Sequence, residues 1–232
     1  MQKLLENVYC FSNLLVGRVY AIKDADGWTI IDAGLKLAVP RILAQLKRAG
    51  YAATDVKRIL ITHAHPDHVG GLPDLRSVTG AAVICSAFER PYVEGKKPVV
   101  QPNRNDVPPL ARMMLSSKPT AMKGTPVARV LKEGDTLPEV LGGLQAVATP
   151  GHSPGHMSFW HPTLKVLFIG DVVMRILAPG LRLPFAGFTT DMKQNKRSVQ
   201  HIAALEPELL LFGHGVPMHD AAPKLKAFAS KL

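Results

Sequence analysis

The chain has 232 residues, 47% of them hydrophobic and 20% charged, an ordinary composition for a globular protein long enough to bury a core as one large or two small domains. Its formal net charge of +10 admits an anionic partner. No apolar run is long enough to span a bilayer, and the opening "MQKLLENVYCFSNLLVG" lacks the basic, apolar and small-residue regions of a secretory signal, so a cytoplasmic protein with no membrane partner is expected.

Cys10 and Cys85 stand in apolar, strand-like stretches and read as free thiols, not as a disulfide framework. Residues 18–24 ("RVYAIKD") and 27–34 ("GWTIIDAG") read as two strands joined by an "ADG" turn. Residues 37–49 have helical spacing and stop at Gly50. The strand "VKRILIT" (56–62) runs directly into a histidine cluster. A short helix over 68–78, a strand over 81–85 and a helix beginning near Ser86 are expected next.

Residues 90–126 form a Pro-rich insertion, and between 90 and 132 the chain places nine basic residues against Glu94 and Asp106. This stretch reads either as a solvated, irregular loop or as an electropositive rim for an anionic substrate or nucleic acid. Tyr92 is the only aromatic residue between Phe88 and Phe159, so the stacking platforms of single-strand binders are missing. Strand-like segments follow at 127–131, 143–150, 157–162 and 165–171, then a helix over 191–205, the strand "LLLFGHG" (209–215) and a last helix. Strands followed by helices in both halves, with hairpins between, predict an α/β fold of two mixed sheets flanked by helices, one domain over 1–232.

Five of the nine histidines, His63, His65, His68, His152 and His214, fall at strand ends or in the turns after them. A rigid sheet fixes such positions and the turn exposes the side chain. "HAHPDH" (63–68) puts three imidazoles and a carboxylate in six positions, and "TPGHSPGH", "FIGD" and "FGHG" repeat the design with His152, Asp171 and His214. A structural zinc site closes with four ligands and usually uses cysteine; nitrogen and oxygen donors without thiolate point instead to a catalytic pair of ions with open positions. Such donors suit zinc, and also iron or manganese. Two divalent ions can share a water and make hydroxide available near neutral pH.

The set His63, His65, Asp67, His68, His152, Asp171 and His214 resembles the motif order of the metallo-β-lactamase fold superfamily. The resemblance implies an αββα sandwich with the site at one edge of the sheets. It also implies a first ion on His63, His65 and His152, a second on Asp67, His68 and His214, and Asp171 bridging both. Asp67 would in addition orient the bridging hydroxide. Asp32 in "IDAG" matches a position that supports the loops beneath the site, and His156 is expected to orient the loop of His152. His161, His201 and His219 lie outside the motif and are expected to tolerate replacement.

Hydrolysis of a small ester, lactone or thioester is the leading chemistry, with resemblance to glyoxalase II-like and lactonase-like members. Only 18 residues follow His214 (232 − 214), short of the C-terminal helical domain of glyoxalase II, and no tyrosine stands between Asp171 and His214, where lactonases carry one. The alternatives are a phosphodiesterase, phosphotriesterase or RNA-processing nuclease, and a mononuclear iron persulfide dioxygenase. A true β-lactamase fits less well, because two of its three subclasses place a cysteine at the position of Asp171 and its secreted members carry an export signal. In the loop after Asp171, Phe185 and Phe188 are expected at an apolar mouth and Arg175 or Arg182 as a basic handle for a small, anionic substrate. The same apolar loop would serve a homodimer contact as well as it serves a monomer.

Overall fold

The computed structural model describes residues 1–115, 117–176 and 180–232. Strands β1 (Gln2–Leu5), β2 (Val8–Cys10), β3 (Tyr20–Asp24) and β4 (Gly27–Ile31) form an antiparallel meander. Helix α1 (Val39–Arg48) then crosses to β5 (Val56–Leu60), and the short α2 (Pro66–Val69) and α3 (Leu72–Thr79) lead to β6 (Ala82–Ser86). A four-residue turn of helix, α4 (Arg90–Val93), opens the insertion, which returns at β7 (Arg129–Leu131). Strands β1 to β7 lie side by side in chain order, the last three pairings being parallel. The second half supplies β8 (Thr136–Leu137), β9 (Leu144–Ala148), β10 (Met157–His161), β11 (Val166–Gly170), α5 (Met192–Ala203), β12 (Leu209–Phe212), β13 (Met218–His219) and α6 (Ala221–Ala229). Its sheet runs β13-β12-β11-β10-β9-β8, with β11 and β12 parallel.

The layering follows from period-two alternation. Tyr20, Ile22, Ile31, Leu60 and Ile84 point one way from the first sheet and meet Ala146, Phe159, Phe168 and Leu211 of the second in a hydrophobic inter-sheet core. Their neighbours Ala21, Ile30, Ile59, Val83 and Cys85 point the other way, beneath Ile42 and Leu46 of α1 and Leu75 of α3. On the far side, Trp160, Leu167, Ile169 and Leu210 are covered by Val199 and Ile202 of α5 and Leu225 of α6. The result is the expected α/β sandwich of two mixed sheets between helices.

Local readings differ from the structure in three places. The helix expected near Ser86 starts only at Arg90 and is a single turn: Ser86 ends β6, its hydroxyl donates to Gly155 O at 2.6 Å and accepts from Glu89 N at 3.2 Å. The helix expected over 68–78 is two pieces, because Gly70 and Gly71 pack against backbone at positions where a Cβ would stand 2.4 Å from Pro66 O and 2.7 Å from Ala33 O. His161 is buried; its Nε2 meets Leu141 O at 3.0 Å and its Nδ1 accepts from Leu164 N at 3.1 Å, so it is built into the β10–β11 hairpin.

Candidate metal centre

The site begins at the end of β5, a strand flanked on both sides by parallel partners and therefore fixed along its length. Asp32, just past the end of β4, takes a left-handed backbone (φ 62°) that carboxamide and carboxylate residues tolerate better than most. Its carboxylate accepts from Thr62 N at 2.9 Å, from the Thr62 hydroxyl at 2.9 Å and from His68 Nδ1 at 2.7 Å. The Thr62 proton is thus spent on Asp32, and its oxygen is left to accept from His63 Nδ1 at 3.0 Å. The same logic holds at the other wall: Thr189 donates to Phe185 O at 2.9 Å and meets His152 Nδ1 at 3.2 Å. In both histidines Nδ1 carries the proton and Nε2 presents a lone pair.

Those lone pairs converge. His63 Nε2 lies 3.1 Å and His152 Nε2 2.9 Å from His65 Nδ1. One proton can satisfy only one of these contacts, whereas ligands about 2.0–2.1 Å from a tetrahedral ion stand about 3.3 Å apart. Burial and the neighbouring histidines hold His63 and His152 well below the usual imidazole pKa, and burial brings His65 down to about 4. All three are neutral donors facing one point.

Asp171, 2% exposed at the end of β11, faces both halves of the cluster. Its Oδ2 lies 3.3 Å from His214 Nε2 and 3.5 Å from His152 Nε2, and its Oδ1 lies 3.5 Å from His68 Nε2. His68 Nε2 and Asp171 Oδ1 are both buried without a hydrogen-bond partner, a costly state that a shared cation would relieve. Burial opposes a charge on His68, but Asp171 and Asp32 outweigh it and raise its pKa. Burial also opposes charge on His214, which hydrogen bonds to Asp171 and to Asp67 (2.9 Å) lift to about 9. Three sets could each hold an ion: His63 with His65 and His152; His63 with His68 and Asp171; Asp67 with His68 and His214. The residues present fit divalent metal.

A model of the metallo-beta-lactamase superfamily matches residues 13–214. The chain belongs to that superfamily. It is 30% identical over 224 residues to the probable metallo-hydrolase YflN of Bacillus subtilis (strain 168), covering 88% of this chain and 82% of that protein. It is also 30% identical over 159 residues to a hydroxyacylglutathione hydrolase of Bdellovibrio bacteriovorus, covering 68% of this chain and 48% of that enzyme. A metallo-beta-lactamase family protein of Thermus thermophilus superposes with a TM-score of 0.73 at 23% identity, over 99% of this chain and 80% of that one, which shows the shared fold. A subclass B3 metallo-beta-lactamase of Bradyrhizobium japonicum gives 0.70 at 25% identity, over 100% of this chain and 89% of that one. Superfamily membership and relatives named for hydrolysis support a metal-dependent hydrolase.

Other superfamily positions fall less as the sequence suggested. His156 Nε2 accepts from Asp171 N at 3.0 Å while Nδ1 meets Thr149 at 2.8 Å, so it pins the turn of Asp171. Gly170 makes that possible, since a Cβ there would lie 2.4 Å from the imidazole. The sequence reading missed Glu89. It is buried and accepts from Ala64 N at 3.0 Å, Ser153 Oγ at 2.6 Å and Gly155 N at 3.0 Å, clamping the two histidine loops together. Within "SAFER" nothing marks it as an inward carboxylate.

A cavity of about 680 Å³ opens over the cluster, within the usual range for small-molecule sites. Phe185 and Phe188 line it beside Met174 and Ile176. Arg175 and Arg182 do not. The Arg175 guanidinium donates to Pro217 O at 2.9 Å, and Arg182 lies on the strand-like pair it makes with Met174. Residues 177–179 of the same expected mouth loop lie outside the described residues. The 90–126 insertion supplies another wall through Val99, Val100, Leu115 and Met122. It is therefore more than a solvated loop.

Proposed function

We propose that this chain, acting as one domain, is a dinuclear metal-dependent hydrolase that cleaves a small ester, lactone or thioester carrying an apolar acyl group. The observation that carries the reading is the seven-residue donor cluster at the floor of a largely apolar cavity. His63, His65 and His152 would hold one ion, Asp67, His68 and His214 the other, with Asp171 shared and zinc the expected metal. When bound, such ions supply acidified water and polarise a carbonyl oxygen.

The protein's own groups do the rest. Thr62 and Thr189 keep His63 and His152 in the tautomer that leaves Nε2 free. Asp67, hydrogen-bonded to His214, is the group that orients the attacking water and takes its proton. The water oxygen adds to the acyl carbon, the C–O or C–S bond breaks, and the departing alkoxide or thiolate takes up a proton. Phe185, Phe188 and the apolar wall of the insertion exclude bulk water from the acyl side.

The test is turnover by metal-depleted and metal-restored protein on a lactone, aryl esters and thioesters of increasing acyl length, a phosphodiester and a β-lactam. Metal-dependent cleavage of the acyl compounds, with kcat/KM rising from acetyl to hexanoyl, is expected. Cleavage of the phosphodiester alone would move the assignment to the nuclease class. Oxygen uptake with a persulfide and no hydrolysis would replace it with the dioxygenase.

A further inference from the structure

A second depression of about 430 Å³ adjoins the apolar cavity, and Val16 and His214 line both. Its character is opposite. The wall is mainly polar and is made by the loop from Asn13 to Arg18 together with Gly215. The loop is held in place at both sides of the donor cluster. Arg18 N donates to Gly213 O at 2.8 Å, next to His214. Gly17, in left-handed backbone (φ +73°), passes so near Asp67 that a Cβ would stand 3.1 Å from its carbonyl oxygen.

Among the described residues of that wall, Arg18 is the one permanent cation. It is half-buried, and among the described residues it pairs with no carboxylate. A guanidinium is a planar fork of donors suited to a carboxylate, and partial burial strengthens such a pair. With the apolar acyl half in the larger cavity and the scissile bond where the two depressions meet, at His214, the part of the substrate beyond that bond would face Arg18.

We propose that this crevice is an anion subsite for the leaving group, in which Arg18 receives a carboxylate carried by the alcohol or thiol half of the substrate. This rests on the acyl-hydrolase reading above. It also relocates the basic handle that the sequence suggested at Arg175 or Arg182.

Two thioesters of nearly equal shape test it: S-butanoyl-3-mercaptopropanoate, which is anionic, and S-butanoyl-3-mercaptopropanamide, which is neutral. The metal-loaded enzyme is expected to show a KM for the carboxylate at least about tenfold below that for the amide. Arg18→Met should raise the KM for the carboxylate at least about tenfold more than that for the amide, while kcat changes alike for both. Arg18→Lys should restore part of the preference. Arg18→Gln, checked by circular dichroism, serves if the methionine variant does not fold. Independently of turnover, 3-hydroxypropanoate should raise the melting temperature of the wild type more than that of the Arg18 variant. Lys118 lines the larger cavity; equal KM values in the wild type, a preference that survives loss of Arg18, or a preference erased by Lys118→Met instead would overturn the proposal. If neither thioester is cleaved, the thioester part of the hydrolase reading fails, and the melting-temperature difference alone decides the crevice.

Discussion

Asp171→Ala is expected to lower kcat/KM by about 10³-fold or more, equivalent to ~4 kcal/mol, and to strip metal from both halves of the cluster. The carboxylate approaches donors of both, with its two oxygens 3.3–3.5 Å from the Nε2 atoms of His214, His152 and His68. Without it the His63–His65–His152 set has no carboxylate to balance a cation, and the second set keeps only Asp67. The position of Asp171 is tightly framed. Gly213 sits so close that a Cβ there would lie 2.0 Å from Asp171 Oδ1, and His156 holds the backbone amide rather than the side chain. Metal content by elemental analysis and steady-state turnover of the variant check this together. A variant that kept its metal and its rate would mean that Asp171 is not shared between ions.

Asp32→Asn is the second large effect, and its cause is a tautomer. Asp32 belongs to none of the candidate donor sets, yet its Oδ2 accepts the proton of His68 Nδ1. An amide can keep its oxygen on Thr62 and turn its NH2 toward His68. The ring must then accept at Nδ1, which moves its proton to Nε2, the atom that faces the cluster. A donor becomes unusable without the fold being lost. Loss of such a supporting carboxylate typically costs about 10–100-fold in metal affinity. The loss should fall on the Asp67–His68–His214 set, leaving His63–His65–His152 the tighter of the two. Competition titration with a chromophoric chelator resolves the two affinities. Equal weakening of both, or none, would contradict the account. Asp32→Ala should be worse: three buried donors lose their acceptor, at about 1–3 kcal/mol each, and a lowered melting temperature should accompany the metal loss.

The sheets were legible because their strands alternate cleanly. Ile30 and Ile31, or Ile59 and Leu60, need only the period of two to be sent to opposite faces. The candidate donor set was legible because seven side chains of metal-ligating type follow strand ends in a family order. What failed depends on tertiary partners. Glu89 reads as a surface residue until Ala64, Ser153 and Gly155 are brought around it from other loops. Arg175 reads as a free cation until Pro217 O is placed beside it. The 90–126 insertion hid its apolar wall because Val99, Val100, Leu115 and Met122 are scattered among prolines and lysines without a period. Arg18 sits in a stretch of no regular structure, and only the loop's path past Asp67 and Gly213 gives it a place near the site.

The most direct measurement is elemental analysis of the purified protein, followed by chelation and stepwise return of zinc while hydrolysis of an S-butanoyl thioester is monitored. The account predicts about two equivalents of metal per chain, loss of turnover on chelation, and recovery that is complete only with the second equivalent. Full turnover without metal, or one equivalent of iron with no hydrolysis at any zinc loading, would contradict it.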